Sequence, residues 1–135
     1  MAARSRPTST SIAELLEHPP RLSGLGVARL SIGDAAVVVT ECPAAFVVSA
    51  RGHDTDYVEV FLDGRLRIGR AWFRAGDVRI VPAGTVYGPL RSGPDGATTL
   101  QVYAGGSVQP IPPRSDAKLA FGPAPGAGGT VSGTR

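Results

Sequence analysis

Arg51-Gly-His-Asp-Thr-Asp-Tyr57, Val58-Glu-Val-Phe-Leu-Asp-Gly64, Arg65-Leu-Arg-Ile-Gly69, Gly76-Asp-Val-Arg-Ile-Val-Pro-Ala-Gly84 and Tyr87-Gly-Pro-Leu-Arg91 follow one another in a stretch whose reading decides the fold. Short runs of alternating apolar residues are cut by turn residues, the pattern of short strands. Asp63-Gly64, between two such runs, predicts a hairpin turn. Ala75-Gly76-Asp77 and Pro82-Ala-Gly84 predict further breaks. Side chains alternate across a strand. If His53 points inward, so do Arg51, Thr55, Tyr57, Glu59 and Phe61, while Asp54, Asp56, Val58, Val60 and Leu62 face out.

Working outward, Ala35–Thr40 and Ala45–Ser49 read as strands separated by Cys42-Pro43, and Leu22–Leu30 as a first strand interrupted by Gly24 and Gly26. Residues 100–103 form the last strand, with either Leu100 and Val102 or Gln101 and Tyr103 inward. The second pair is carried forward as candidate ligand contacts. Ser11–His18 predicts a short helix, with Ser11 as cap, Glu14 completing a capping box and Pro19-Pro20 as its stop. Residues 1–10 and 112–135 read as disordered; the latter is rich in Gly, Pro and Ala and buries too little surface to offset its ordering entropy. A single domain over 11–111 remains. Many short strands with regular turn signals predict an antiparallel β-barrel or jelly roll.

The chain has 135 residues, 18 of them Gly and 12 Pro, with a formal charge of +3. No apolar run approaches the ~20 residues of a membrane helix, and no apolar core follows the basic start, so neither a membrane nor a secretory role is expected. Cys42 is the only cysteine, which excludes an internal disulfide and points to the cytoplasm. With no base beside it in sequence, Cys42 is not expected to act as a nucleophile. Lys118 is the only lysine. Arg65, Arg67, Arg70, Arg74 and Arg79 form a loose cluster with little aromatic surface beside it. They read as solvated faces, and nucleic acid is not an expected partner.

The central stretch resembles the cupin superfamily over roughly residues 35–104. Cupins carry a first motif G-x5-H-x-H-x3,4-E-x6-G and a second G-x5-P-x-G-x2-H-x3-N. The second frame is present as Gly76, Pro82, Gly84, Tyr87 and Arg91. In the first, Gly64 is the closing glycine, which places Tyr57 at the glutamate and His53 and Arg51 at the two histidines. The resemblance implies a β-barrel, a cavity that holds the functional groups, and a homodimer. It implies, for a typical member, an iron, manganese, nickel or zinc ion on three histidines and a glutamate. Here those four places hold Arg51, His53, Tyr57 and Tyr87, and only one is a usual ligand. A protonated guanidinium cannot coordinate, and the whole chain has only His18 and His53. No cofactor is therefore expected. A divalent metal would have to use His53 and Glu59, with Tyr87 as a third ligand after a two-residue register shift.

The residues themselves give an interior of Arg51, His53, Tyr57, Glu59, Tyr87 and Arg91. Such groups are costly to bury unless they pair or serve a ligand. Glu59 is expected to pair with Arg51 or Arg91. Two arginines with phenol hydroxyls suit a carboxylate or enolate-like oxygen. His53, Glu59 and Tyr57 are the candidate acid–base residues. Arg51, Tyr87, Arg91, Gln101 and Tyr103 are the candidate ligand contacts. The expectation is a metal-independent protein that binds a small anionic or oxygenated organic molecule and catalyses an isomerisation, cyclisation or lyase-type step. The alternatives are a non-catalytic small-molecule sensor or accessory module, and a degenerate metal-dependent dioxygenase or isomerase.

Overall fold

A computed structural model describes residues 7–22, 24–105, 110–114 and 118–124. One helical turn, α1 (Ile12–Leu15), precedes β1 (Arg21–Leu22), β2 (Leu25–Ile32), β3 (Ala35–Cys42), β4 (Phe46–Val48), β5 (Tyr57–Ile68), β6 (Ala71–Arg74), β7 (Val78–Val81), β8 (Leu90–Tyr103) and β9 (Phe121–Pro123). All pairings are antiparallel, and the strands form one sheet curled into a half-barrel. β8 is its spine. Along one edge it pairs with β5; along the other it pairs with β3 near its end and with β4 near its start. Among the described residues no helix is long and apolar enough to cross a membrane.

The alternation expected of the central stretch holds. Arg51, His53, Thr55, Tyr57, Glu59 and Phe61 are all buried, and Asp54 and Asp56 are exposed. Because directly paired residues share a face, the register turns that alternation into rows. Arg79, Glu59, Gln101, Val38 and Arg29 form one row across β7, β5, β8, β3 and β2. Near the other end of β5, Ile68, Leu90, Val48 and Phe121 form a second row across β5, β8, β4 and β9. The inner face is therefore polar towards the start of β5 and apolar towards its end. The apolar end packs as Leu25, Phe46, Val48, Phe61, Leu66, Ile68 and Leu90. A smaller cluster of Ala36, Val38, Tyr57, Val81 and Tyr103 lines the polar end.

Three expectations about elements are corrected. Asp63-Gly64 is not a hairpin turn: β5 runs through it, with register slips between Phe61 and Asp63 and between Gly64 and Leu66. The reversal comes instead at Gly69-Arg70. Gly64 is required there because a Cβ at its φ of +71° would collide with the Gly96 carbonyl oxygen, so the DG pair marks a β-bulge. The helix is shorter than 11–18. Ser11 Oγ does accept from Glu14 N at 3.0 Å as expected of the cap, but one turn without buried residues does not propagate. The stretch 112–135 is not wholly irregular, since Phe121–Pro123 pairs with β4. Of the stretches expected to be disordered, 1–6, 115–117 and 125–135 lie outside the described residues.

Candidate functional site

The curled face encloses a cavity of about 370 Å³. Its walls include Arg51, His53, Glu59, Tyr87, Gln101 and Tyr103, six of the candidate residues. Tyr57 is buried directly behind them, its ring 5.2 Å from that of His53. Local backbone pairing explains the convergence. Arg51 and Tyr87 form an isolated β-bridge, with Arg51 N donating to Tyr87 O at 2.9 Å and Tyr87 N returning to Arg51 O at 2.8 Å. Gly84 N donates to His53 O at 2.8 Å. The segment carrying Arg51 and His53 is thus stitched to the loop carrying Tyr87.

The Tyr87 hydroxyl lies 3.0 Å from His53 Nε2, close enough for a direct proton transfer. Either neutral tautomer of His53 makes this bond, with the ring as donor or as acceptor. Burial pushes the Tyr87 phenol above its ordinary value, while a hydrogen bond from Tyr57 opposes that rise. Tyr57 is pushed up first by burial and then by its proximity to Tyr87. Its oxygen also accepts from Arg79 Nη2 at 3.2 Å. Arg79, Tyr57, Tyr87 and His53 therefore form one chain in which each donor polarises the next. Tyr103 is likewise raised, chiefly by burial, so all three phenols are neutral donors.

Glu59 points inward as expected, but neither Arg51 nor Arg91 is its partner. Arg79 donates to Glu59 Oε1 through Nη2 at 3.0 Å and Nε at 3.3 Å. Gln101 Nε2 donates to Oε2 at 2.9 Å, and Thr40 Oγ1 donates to Gln101 Oε1 at 3.2 Å. A carboxylate only 3% exposed is thereby balanced by one guanidinium and held in place. That arrangement suits a fixed negative charge better than a mobile base. Arg79 is not the solvated surface arginine that the sequence predicts. It lies instead on the inner face, its guanidinium 4.7 Å above the Tyr87 ring.

Arg51 is 7% exposed. Its Nε donates to Ser49 O at 2.9 Å, and its guanidinium stacks 4.6 Å from the Phe121 ring centroid. Among the described residues it makes no ion pair, the two ion pairs being Arg79–Glu59 and Arg21–Glu41. Burial lowers its pKa, and the nearby phenols of Tyr87, Tyr103 and Tyr57 act in the opposite direction. Arg91 is not part of the site. It is exposed, opposite Val47 and Arg67 in the ladder. The alternation that placed it beside Tyr87 lapses at Gly88, whose φ of +105° interrupts the pleat, and Leu90 faces the cavity instead.

Sequence reasoning missed Arg79, because apolar residues flank it in both phases of Val78-Arg79-Ile80-Val81. The available signal was the buried Glu59, which demands a counter-charge. It also missed Leu119 and Phe121, which line the cavity from the supposed tail. Cys42 lines the cavity as well. Burial, reinforced by Glu59, pushes its thiol up to about 12, in keeping with the expectation that it is no nucleophile.

The four motif places that hold a metal in a typical cupin do converge here, but their donors do not fit one. Arg51 has no lone pair to offer, and Tyr57 and Tyr87 would have to ionise against their raised pKa values. Glu59 is committed to Arg79. Among the described residues, no group of three or more His, Cys, Asp or Glu side chains is arranged to hold a metal ion.

No protein-family model matches the sequence, and no curated protein matches it. Solved structures do resemble it. A variant oxalate decarboxylase from Bacillus subtilis is 16% identical at a TM-score of 0.60, over 68% of this chain and 28% of that one. An RmlC-like cupin from Shewanella frigidimarina is 17% identical at a TM-score of 0.60, over 76% of this chain and 95% of that one. A chain in the complex of Rhodobacter sphaeroides SigE with the anti-sigma ChrR is 19% identical at a TM-score of 0.57, over 73% and 70%. This chain thus spans a little over a quarter of the decarboxylase and nearly all of the small cupin. The likeness is one of fold, and the fold is that of the cupins.

Proposed function

We propose that the cavity binds a small anionic or oxygenated organic molecule without a metal, and that His53 and Tyr87 move a proton on it. The observation that carries this reading is Arg51, a buried guanidinium on the cavity wall with no carboxylate partner among the described residues. A buried charge left alone is costly, and an anionic ligand would balance it with charge-assisted hydrogen bonds. Two residues further along the same inward line, the His53–Tyr87 pair supplies a base and an acid in contact. Tyr57, itself bonded to Arg79, donates to the Tyr87 oxygen and makes the Tyr87 proton easier to give up. Glu59, held by Arg79 and Gln101, stays outside the proton transfer. Isomerisation and cyclisation of an unsaturated or keto acid require such a transfer and no redox partner.

A second reading, a sensor without turnover, is favoured by the commitment of Glu59 to Arg79, which leaves His53 as the sole candidate base on the described cavity wall. Proton exchange separates the two. Unsaturated and keto carboxylates are incubated with the protein in D2O, and loss of their acidic C–H signals is followed by NMR. Exchange that disappears in His53→Ala while ligand affinity stays within a few-fold supports the acid–base reading. Binding without exchange in the wild type supports the sensor.

We propose further that two copies pair through the outer face of the sheet. Leu30, Val37, Val102, Val58 and Ile80 form a continuous aliphatic row across five strands. Leu100, Val60 and Val78 lie beside it. Ile80 is 76% and Val78 59% exposed. Contiguous apolar surface of this kind marks interaction sites, and an uncharged aliphatic array carries no like-charge repulsion against its own copy.

A further inference from the structure

Charge and polarity are distributed unevenly round the cavity, and the distribution restricts what fits. Arg51 and Glu59 are the buried charges of its wall; Glu59 is neutralised by Arg79, and Arg29 lies exposed at the edge. Among the described residues one uncompensated positive charge therefore remains inside. Arg51 sits at the boundary between the two ends, stacked on Phe121, which packs with the apolar cluster. On that side the walls are Leu25, Val48, Leu66 and Leu90. The polar atom added there is the Cys42 thiol, which burial keeps protonated.

We infer that the cavity selects a monocarboxylate with one compact apolar body, a single ring or a short branched chain. Its carboxylate rests on Arg51 and its body lies against Leu25, Val48, Leu66 and Leu90. This rests on the anion-binding reading above and narrows it. A dicarboxylate or phosphate would bring a second negative charge that no second buried guanidinium of the described wall meets, and its desolvation would be uncompensated. A neutral alcohol of the same shape would fill the apolar end but leave the guanidinium without a counter-ion. A polyhydroxylated body laid against that apolar end would strand its hydroxyls on aliphatic side chains. The volume of about 370 Å³ lies near the low end of the ~300–1,000 Å³ usual for ligand pockets, which suits a one-ring acid.

The test is isothermal titration calorimetry of the full chain with 3-phenylpropanoate, succinate, inorganic phosphate and 3-phenylpropan-1-ol, repeated with Val48→Thr. The expected result is that 3-phenylpropanoate binds at least ~10-fold more tightly than each of the other three, the size of one charge-assisted hydrogen bond. Val48→Thr, which keeps the shape and adds a hydroxyl to the apolar end, is expected to weaken 3-phenylpropanoate several-fold. Succinate or phosphate binding as tightly would overturn the monocarboxylate assignment while leaving an anion site standing. The alcohol binding as tightly as the acid would overturn the role of Arg51 as anchor. Absence of binding by all four would contradict the anion-binding reading itself. An unchanged affinity in Val48→Thr would remove the apolar body from the place assigned to it.

Discussion

Ala45 holds a backbone conformation that L-residues avoid, with φ at +50°. Its N–H donates to Gly93 O at 3.1 Å and its carbonyl accepts from Ala124 N at 2.7 Å, so both neighbours hold it there. Counting six residues back from Arg51 reaches this position, the place of the first glycine in the cupin motif. Alanine in the left-handed region costs about 1 kcal/mol relative to glycine, so Ala45→Gly is expected to raise unfolding free energy by about that amount in urea titration. At Glu59 the expected change is larger and opposite. Arg79→Met leaves a nearly inaccessible carboxylate without its guanidinium, and loss of about 3 kcal/mol is expected. Glu59→Gln combined with Arg79→Met should recover most of that loss, because the cost lies in the unpaired charge. An additive double variant would show that the two residues act separately. Inward and outward placement from Arg51 to Leu62 was legible in the sequence, because alternation there is unbroken. The partner of Glu59 was not, since it depends on which strand lies beside β5, and alternation carries no information about neighbours.

At the scale of elements, β9 does more than close the sheet. Its Phe121 stacks on Arg51, and Ala120 and Ser49 exchange two hydrogen bonds, Ser49 N to Ala120 O at 2.9 Å and Ala120 N to Ser49 Oγ at 2.8 Å. Phe121→Ala removes the surface that holds the guanidinium, and an affinity loss of roughly 10-fold for 3-phenylpropanoate is expected, with the secondary structure by circular dichroism unchanged. Unchanged affinity would assign Phe121 to packing alone. This strand escaped sequence reading because Phe121-Gly-Pro lies in a run of Gly, Pro and Ala with no alternation to detect, and only its pairing with β4 orders it. The Asp63-Gly64 bulge was misread for a related reason. An Asp-Gly pair is shared by tight turns and bulges, and the facing Gly96 that decides between them is more than thirty residues away in the chain.

At the scale of the molecule, the curl of one sheet separates two surfaces with different work. The inner face carries the cavity; the outer carries the aliphatic rows. If the outer face pairs two copies, Ile80→Lys should convert a dimer into a monomer in sedimentation velocity while leaving carboxylate binding intact, because Ile80 and the cavity are on opposite faces. A wild type that sediments as a monomer at all concentrations would contradict the pairing. The cupin fold was legible because turn residues stand at the motif's spacing even where its usual ligand residues do not. The chemistry was less legible, because three substituted metal places say what is missing and only the structure shows how Arg51, His53, Tyr57 and Tyr87 are joined.

The central claim is that Arg51 is an anion anchor inside the cavity, and the most direct measurement watches its guanidinium. In protein labelled with 15N-arginine, the Nε–H signal of Arg51, assigned by its loss in Arg51→Lys, is followed by NMR during titration with 3-phenylpropanoate. The account predicts a saturable shift of that signal, larger than that of any other arginine. A ligand that saturates while the Arg51 signal stays in place, or one that moves only the exposed arginines, would contradict it.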